Sequence, residues 1–161
     1  MGSTRYGSRI HARSSAALWH NGAMPYLFET EEHAELRRNV RRFAEAHIAP
    51  HAHAWEEACE FPEDLYARAG EASLLGVSFP SEIGGNDGDL SHALVVGEEL
   101  VLAGKSVGTC VGLNSHAIGL PPIVKFGTSA QKERFVRPVL AGKAISALAV
   151  TEPGGGSDVA G

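Results

Sequence analysis

Leu148 to Ser157 is the stretch whose residue types bear most directly on chemistry. It reads Leu148, Ala149, Val150, Thr151, Glu152, Pro153, Gly154, Gly155, Gly156, Ser157. Ile145, Ala147, Ala149 and Thr151 alternate with Ser146, Leu148 and Val150, the period of a β-strand. Such a strand delivers Val150 and Thr151 to a turn. There Pro153 and the glycines keep side chains away, so backbone N–H groups can approach a ligand closely. Thr151 and Ser157 add hydroxyls. This chemistry suits a flat, hydrogen-bonding heterocycle or a pyrophosphate. The segment is neither common nucleotide motif. A P-loop needs a lysine after its last glycine, whereas Lys143 precedes the glycines, and Val159 stands where the dinucleotide fingerprint needs its third glycine. On glycine content alone, a plain flexible loop is the favoured reading.

Other residues invite chemical readings that yield to simpler ones. His47 and His51 have metal-ligand helical spacing, with His53 nearby, but Pro50 interrupts the helix and a solvated surface is expected. His116 lies in an apolar stretch beside Asn114 and reads as a satisfied core polar group. Arg37, Arg38, Arg41 and Arg42 read as a solvated or intersubunit face. Cys59 and Cys110 make neither a disulfide scaffold nor a zinc site; both read as reduced thiols, Cys110 as buried.

The elements that must position these residues are mainly helical. Thr30 opens a helix whose first turn is acidic (Glu31, Glu32, Glu35) and whose stripe is Leu36, Val40, Phe43 and Ala44. Pro50 ends it, and His51 to Glu60 form one more short helix anchored by Trp55. Pro62 starts a helix with Leu65, Ala69, Ala72 and Leu75 buried. Gly76 to Asp89 is a loop. Asp89 caps a helix with Leu90, Leu94, Gly97 and Val101 on one face, and Gly97 predicts close packing there. Ser106 caps a helix running to about Leu120, apolar on most faces and so expected to be central. Pro121 and Pro122 stop it. Thr128 and Gln131 have capping-box spacing ahead of Phe135, Val136, Val139 and Leu140. The layout is five or six helices followed by one strand.

The bulk properties agree with a globular domain. The chain has 161 residues, 43% hydrophobic and 20% charged, with a formal net charge of -5. That acidity gives no reason to expect nucleic acid, and no apolar run approaches the roughly 18 residues of a membrane span. Arg5, Arg9 and Arg13 occur with several serines and no acid precedes Glu29, the composition of a mitochondrial transit peptide. A disordered tail, or extra residues ahead of a start at Met24, is the favoured reading.

Ala149 to Gly161 resembles, position by position, the first signature of the acyl-CoA dehydrogenase family: Thr-Glu-Pro, two variable positions, Gly-Ser-Asp, then a small residue three on. Two further stretches are similar to that family. One is Leu75-Gly76-Val77 with Pro80 to Gly85. The other is Phe126-Gly127-Thr128 with Gln131 to Arg134 and Ala141-Gly142-Lys143. The likeness covers Pro25 to Gly161.

It implies an N-terminal helical domain over 24–142 after a tail at 1–23, and the start of a middle β-domain at 143–161. It further implies FAD contacted by Leu148 to Ser157, with Ser157 also touching the pantetheine of an acyl-CoA substrate. Electron-transfer flavoprotein would be the acceptor, and the protein a homo-oligomer in the cytoplasm or mitochondrial matrix. Within the signature, Glu152 and Asp158 are expected to hold the turn by accepting backbone N–H bonds. The implied reaction is α,β-dehydrogenation of an acyl-CoA, with a carboxylate base in a C-terminal bundle beyond these residues, so the chain reads as an N-terminal fragment inactive alone. An acyl-CoA oxidase, a flavin monooxygenase relative or a non-catalytic helical module are the alternatives. His51 to Trp55 and Gly85 to Asp89 resemble long-chain-type members, and the resemblance further implies that Leu113, Ala117 and Leu120 line a substrate pocket near the acyl chain.

Overall fold

The computed structural model describes residues 29–151 and 153–157. The helices are α1 (Glu31–His47), α2 (Ala52–Ala58), α3 (Asp64–Glu71), α4 (Leu90–Gly104), α5 (Val107–Asn114), α6 (His116–Gly119), α7 (Pro121–Phe126), α8 (Ser129–Gln131) and α9 (Arg137–Leu140). A 3-10 turn, Ser81–Ile83, precedes α4, and a π-helical turn, Lys132–Val136, joins α8 to α9. None of the described helices is long and apolar enough to cross a membrane.

The expected caps are in place. The Asp89 carboxylate accepts from the Ser91 and His92 amides at 2.8 and 3.3 Å. The Ser106 hydroxyl accepts from the Thr109 N–H at 3.0 Å. Thr128 and Gln131 close a capping box, the Thr128 N–H donating to Gln131 Oε1 at 2.8 Å. Each satisfies N–H groups that a helix start leaves without partners.

Helices α1 and α4 pack side by side in the same sense. His33 meets His92 at one end, and Ala44 and Ile48 approach Gly104 at the other. Val40, Phe43, Ala44 and Ile48 bury against Val96, Leu100, Leu65 and Leu113 in the larger of two apolar clusters. The second holds Phe79, Ile83, Leu120, Val136, Val139 and Leu140. His116 spans the two, its Nε2–H donating to the Leu75 carbonyl at 2.7 Å while its ring lies against Phe79. It is the satisfied core polar group expected of it. Burial pushes its pKa below the ordinary 6.5, against the opposing pull of backbone contacts with Leu75 and Leu113.

Four expectations are corrected. The buried face of α4 is Val95, Val96, Glu99 and Leu100; Leu90 and Leu94 are exposed, and a Cβ on Gly97 would meet nothing within 4 Å. Arg37 and Arg41 are not merely solvated: both reach the fully buried carboxylate of Glu99, at 2.7 and 2.8 Å. Residues Ser106 to Leu120 form two helices, α5 and α6, with Val107, Val111 and Ile118 exposed and Cys110 half-buried.

Lastly, residues 145–151 form no strand. A strand exists only through ladder bonds to a neighbour, and the described residues supply no partner strand. The helical class holds; the first strand of a β-domain is not formed here.

Candidate functional site

The glycine-rich segment is launched from the end of α9 by Gly142. At φ +69° this residue lies in the left-handed region, and a Cβ there would come within 2.0 Å of the Tyr66 carbonyl oxygen. Only glycine permits both features. The Gly142 and Lys143 amides donate to the Val139 and Pro138 carbonyls at 2.9 and 2.8 Å, closing the helix end. Gly70 is the other half of this contact, because a Cβ on it would lie 2.5 Å from the Ala141 backbone. Helix α3 and the exit of α9 therefore touch backbone to backbone.

The chain then crosses the junction of α5 and α6. The Ser115 hydroxyl donates to the Ser146 carbonyl at 3.0 Å, and a Cβ on Gly119 would sit 2.6 Å from Ser146 Oγ. Ser115 thus ties the segment down and Gly119 makes room for it. The opposite end of α5, its N-terminus, is held by α2, since Glu56 accepts from the Ser106 hydroxyl at 2.6 Å and the Gly108 amide at 3.0 Å.

Past this crossing the residues are open to solvent. Leu148 is 57% and Val150 54% exposed, and Ala149, Thr151, Pro153, Gly154, Gly155, Gly156 and Ser157 are exposed. The positions of Cβ atoms on Gly154 and Gly156 are clear for at least 4 Å. The donor set is hydroxyls and backbone amides with no side chain interposed. It fits the polar edge of a flavin, which needs N–H and O–H donors at close approach. Glu152 and Asp158 lie outside the described residues. The segment does not meet the other polar candidates. His47 and His51 border a surface depression with Trp55, Asp64 and Arg68, and the His51 ring stacks on Trp55 at 5.2 Å. Leu113 and Leu120 are core residues, and Ala117 is exposed.

One grouping escaped the sequence reading. His33, Asp89 and His92 bring ligand-type atoms within 4.8 Å of one another. Its signal was available: in both α1 and α4 a histidine follows the N-cap by three residues.

Among the described residues the fold is nearly all helical, followed by an exposed, glycine-rich segment. The family model "Acyl-CoA dehydrogenase, N-terminal domain" matches residues 30–143. The long-chain specific acyl-CoA dehydrogenase of mouse mitochondria is 37% identical over 132 residues, covering 82% of this chain and 30% of its own length. A crystal structure of a probable acyl-CoA dehydrogenase from Mycobacterium abscessus is 47% identical with a TM-score of 0.76, over 81% of this chain and 35% of that one. An acyl-CoA dehydrogenase from Bacillus anthracis, solved in complex with FAD, is 31% identical with a TM-score of 0.74, over 84% of this chain and 23% of that one. The chain belongs to the acyl-CoA dehydrogenase family. It spans about a third or less of the length of each of these relatives.

Proposed function

We propose that this chain supplies the N-terminal helical domain, residues 24–142, and the first part of the flavin wall of an FAD-dependent acyl-CoA dehydrogenase. The observation that carries the reading is the signature Ala149 to Gly161 standing directly after a helical domain of the matching family. Bound FAD supplies the hydride acceptor. The Thr151 hydroxyl and the backbone N–H groups of Leu148 to Ser157 other than Pro153 would donate hydrogen bonds to the flavin's pyrimidine edge, where negative charge builds up on reduction. Ser157 contacts the pantetheine arm of the acyl-CoA and aligns the thioester. Gly154 and Gly156 keep that approach clear of side chains. Ser115, Gly119 and Gly142 set where the segment runs.

In this reading residues 143–161 begin a middle β-domain, whose further strands provide the ladder partners that 145–151 lack here. The α proton of the substrate is removed by a carboxylate that the family carries in its C-terminal bundle. Electrons pass on to an electron-transfer flavoprotein, and the assembled enzyme is a homo-oligomer. The 161 residues taken alone hold too little of the cofactor's surroundings to retain FAD.

The test replaces Thr151 with valine in the full-length protein. It should still bind FAD but be reduced by acyl-CoA about 100-fold more slowly, the scale on which lost charge-stabilising donors act. Unchanged reduction would remove Thr151 and its segment from the flavin wall.

A further inference from the structure

Helices α2 and α3 and the first turn of α5 border a cleft of about 520 Å³, a volume suited to a small organic molecule. Three aromatic rings follow one another along it. Trp55 and Phe61 have centroids 6.1 Å apart with planes inclined by 43°, and Phe61 and Tyr66 are 5.5 Å apart at 35°. The arrangement follows from the path of the chain. Cys59, at φ 54°, ends α2 with a left-handed turn, and the Glu60 amide donates to the Trp55 carbonyl at 3.2 Å, so Phe61 returns beside Trp55. The rings are held in place. The Tyr66 hydroxyl donates to the Gly112 carbonyl at 3.1 Å, and the Phe61 ring fills the space that a Cβ on Gly112 would need, 2.6 Å from it.

The charge along this wall has one sign. Glu56, Glu60 and Glu63 line the cleft, and no lysine, arginine or histidine does. None of the three carboxylates makes an ion pair within the described residues. Glu56 accepts from the Ser106 hydroxyl and the Gly108 amide through Oε1, and these bonds hold it below the ordinary 4.5. It is therefore charged at neutral pH, and Oε2 takes part in neither bond.

We propose that this cleft binds an organic cation carrying a quaternary ammonium group, with Trp55, Phe61 and Tyr66 as its aromatic wall and the glutamates as its counter-charge. A methylated ammonium has no N–H to satisfy and is weakly hydrated, so it leaves water for an aromatic surface at low cost. The negative ring faces attract it within about 6 Å of a centroid. A primary ammonium or a bare metal ion needs oxygen acceptors on every side, which three rings do not supply, and an anion would face three carboxylates. The unpaired glutamates also raise the local concentration of any cation. The cleft includes no residue of Leu148 to Ser157, so its occupancy is separate from the proposed flavin contact.

The test uses the full-length protein with choline and with 3,3-dimethylbutan-1-ol, its uncharged isostere. Cys59 is exposed and lines the cleft, so its alkylation by iodoacetamide slows as the cleft fills. The rate is read by mass spectrometry of the peptide that carries it, as a function of ligand concentration. Saturable protection is expected with choline, at a concentration about tenfold or more below that needed with the isostere. Trp55→Leu should weaken choline binding about 5- to 30-fold, the range for a partly desolvated cation–π contact. Glu60→Gln, at an exposed position, should weaken it about two- to fivefold at low salt, as expected for one exposed charge pair. Glu71→Gln, outside the cleft, should leave it unchanged. Circular dichroism checks that each variant is folded; should Trp55→Leu fail to fold, Glu60→Gln and the isostere still decide the matter. No saturable protection by choline, equal protection by the isostere, undiminished protection in Glu60→Gln or in folded Trp55→Leu, or weakened protection in Glu71→Gln would each overturn the proposal.

Discussion

Glu99 is the residue at which chemistry and sequence pattern part most clearly. Its side chain is completely buried, yet Arg41 meets it through two nitrogens at 2.8 and 2.9 Å and Arg37 through one at 2.7 Å. Burial alone would raise its pKa, but the hydrogen bonds from Arg41 and Arg37 outweigh that and hold it below 4.5. Arg37 in turn pairs with Glu29 and Glu98. Replacing Glu99 with alanine leaves two guanidinium groups facing an apolar interface. Because both arginines are partly solvated, the cost should be about 2–4 kcal/mol rather than the full penalty of a broken buried pair, read by denaturant unfolding.

The pH dependence has a definite sign at two residues. A carboxylate with a lowered folded pKa contributes its stability above the unfolded value of 4.5 and loses it as pH falls through the folded one, so the Glu99 contribution fades as pH falls below 4.5. His116 acts earlier. Its folded pKa lies below 6.5, so the unfolded chain takes up the proton first and stability falls as pH drops below that value. His116→Gln should flatten the stability profile in the range just under pH 6.5. An unchanged slope there would count against His116 as the cause.

At the scale of elements, the helix starts were the most legible feature. Thr30, Asp89, Ser106 and Thr128 each stand immediately before the helix they were expected to open. A cap is a local bargain between one side chain and the next few amides, so local sequence reveals it. The buried face of α4 was not legible. That helix is apolar on several sides, and its deepest position is a glutamate whose arginine partners lie 58 and 62 residues away. Periodicity therefore selected Leu90 and Leu94, which are exposed, in place of Val95, Val96 and Leu100.

The alternation at 145–151 has the period of a strand, but no strand forms because the described residues offer it no partner. The exit that aims this segment was visible only as one glycine among several. Gly142→Ala should cost more than about 2 kcal/mol, since it combines a left-handed backbone with a 2.0 Å clash against Tyr66. A fall in melting temperature of several degrees, measured by calorimetry, is the expected sign.

At the scale of the whole molecule, the distribution of apolar residues matters most. Leu90, Leu102, Val107, Val111 and Phe126 are between 62% and 78% exposed. Apolar side chains exposed singly are ordinary on a protein surface, whereas a contiguous patch marks where other protein packs. The family relatives are roughly two to four times as long as this chain, a difference that the proposed middle and C-terminal domains would account for. Val111→Glu should therefore change the stability of the 161 residues by no more than about 0.5 kcal/mol, while impairing assembly of the full-length protein in size-exclusion chromatography. Equal, unimpaired assembly would show that this surface stays in solvent.

The central claim is that Leu148 to Ser157 is part of the flavin wall of an acyl-CoA dehydrogenase. It is tested most directly by assaying the full-length protein with a series of acyl-CoA thioesters and an artificial electron acceptor. Bound FAD and turnover with at least one chain length are expected, while the 161 residues alone should show neither a flavin band nor activity. A full-length protein without FAD, or without turnover on any acyl-CoA, would contradict it.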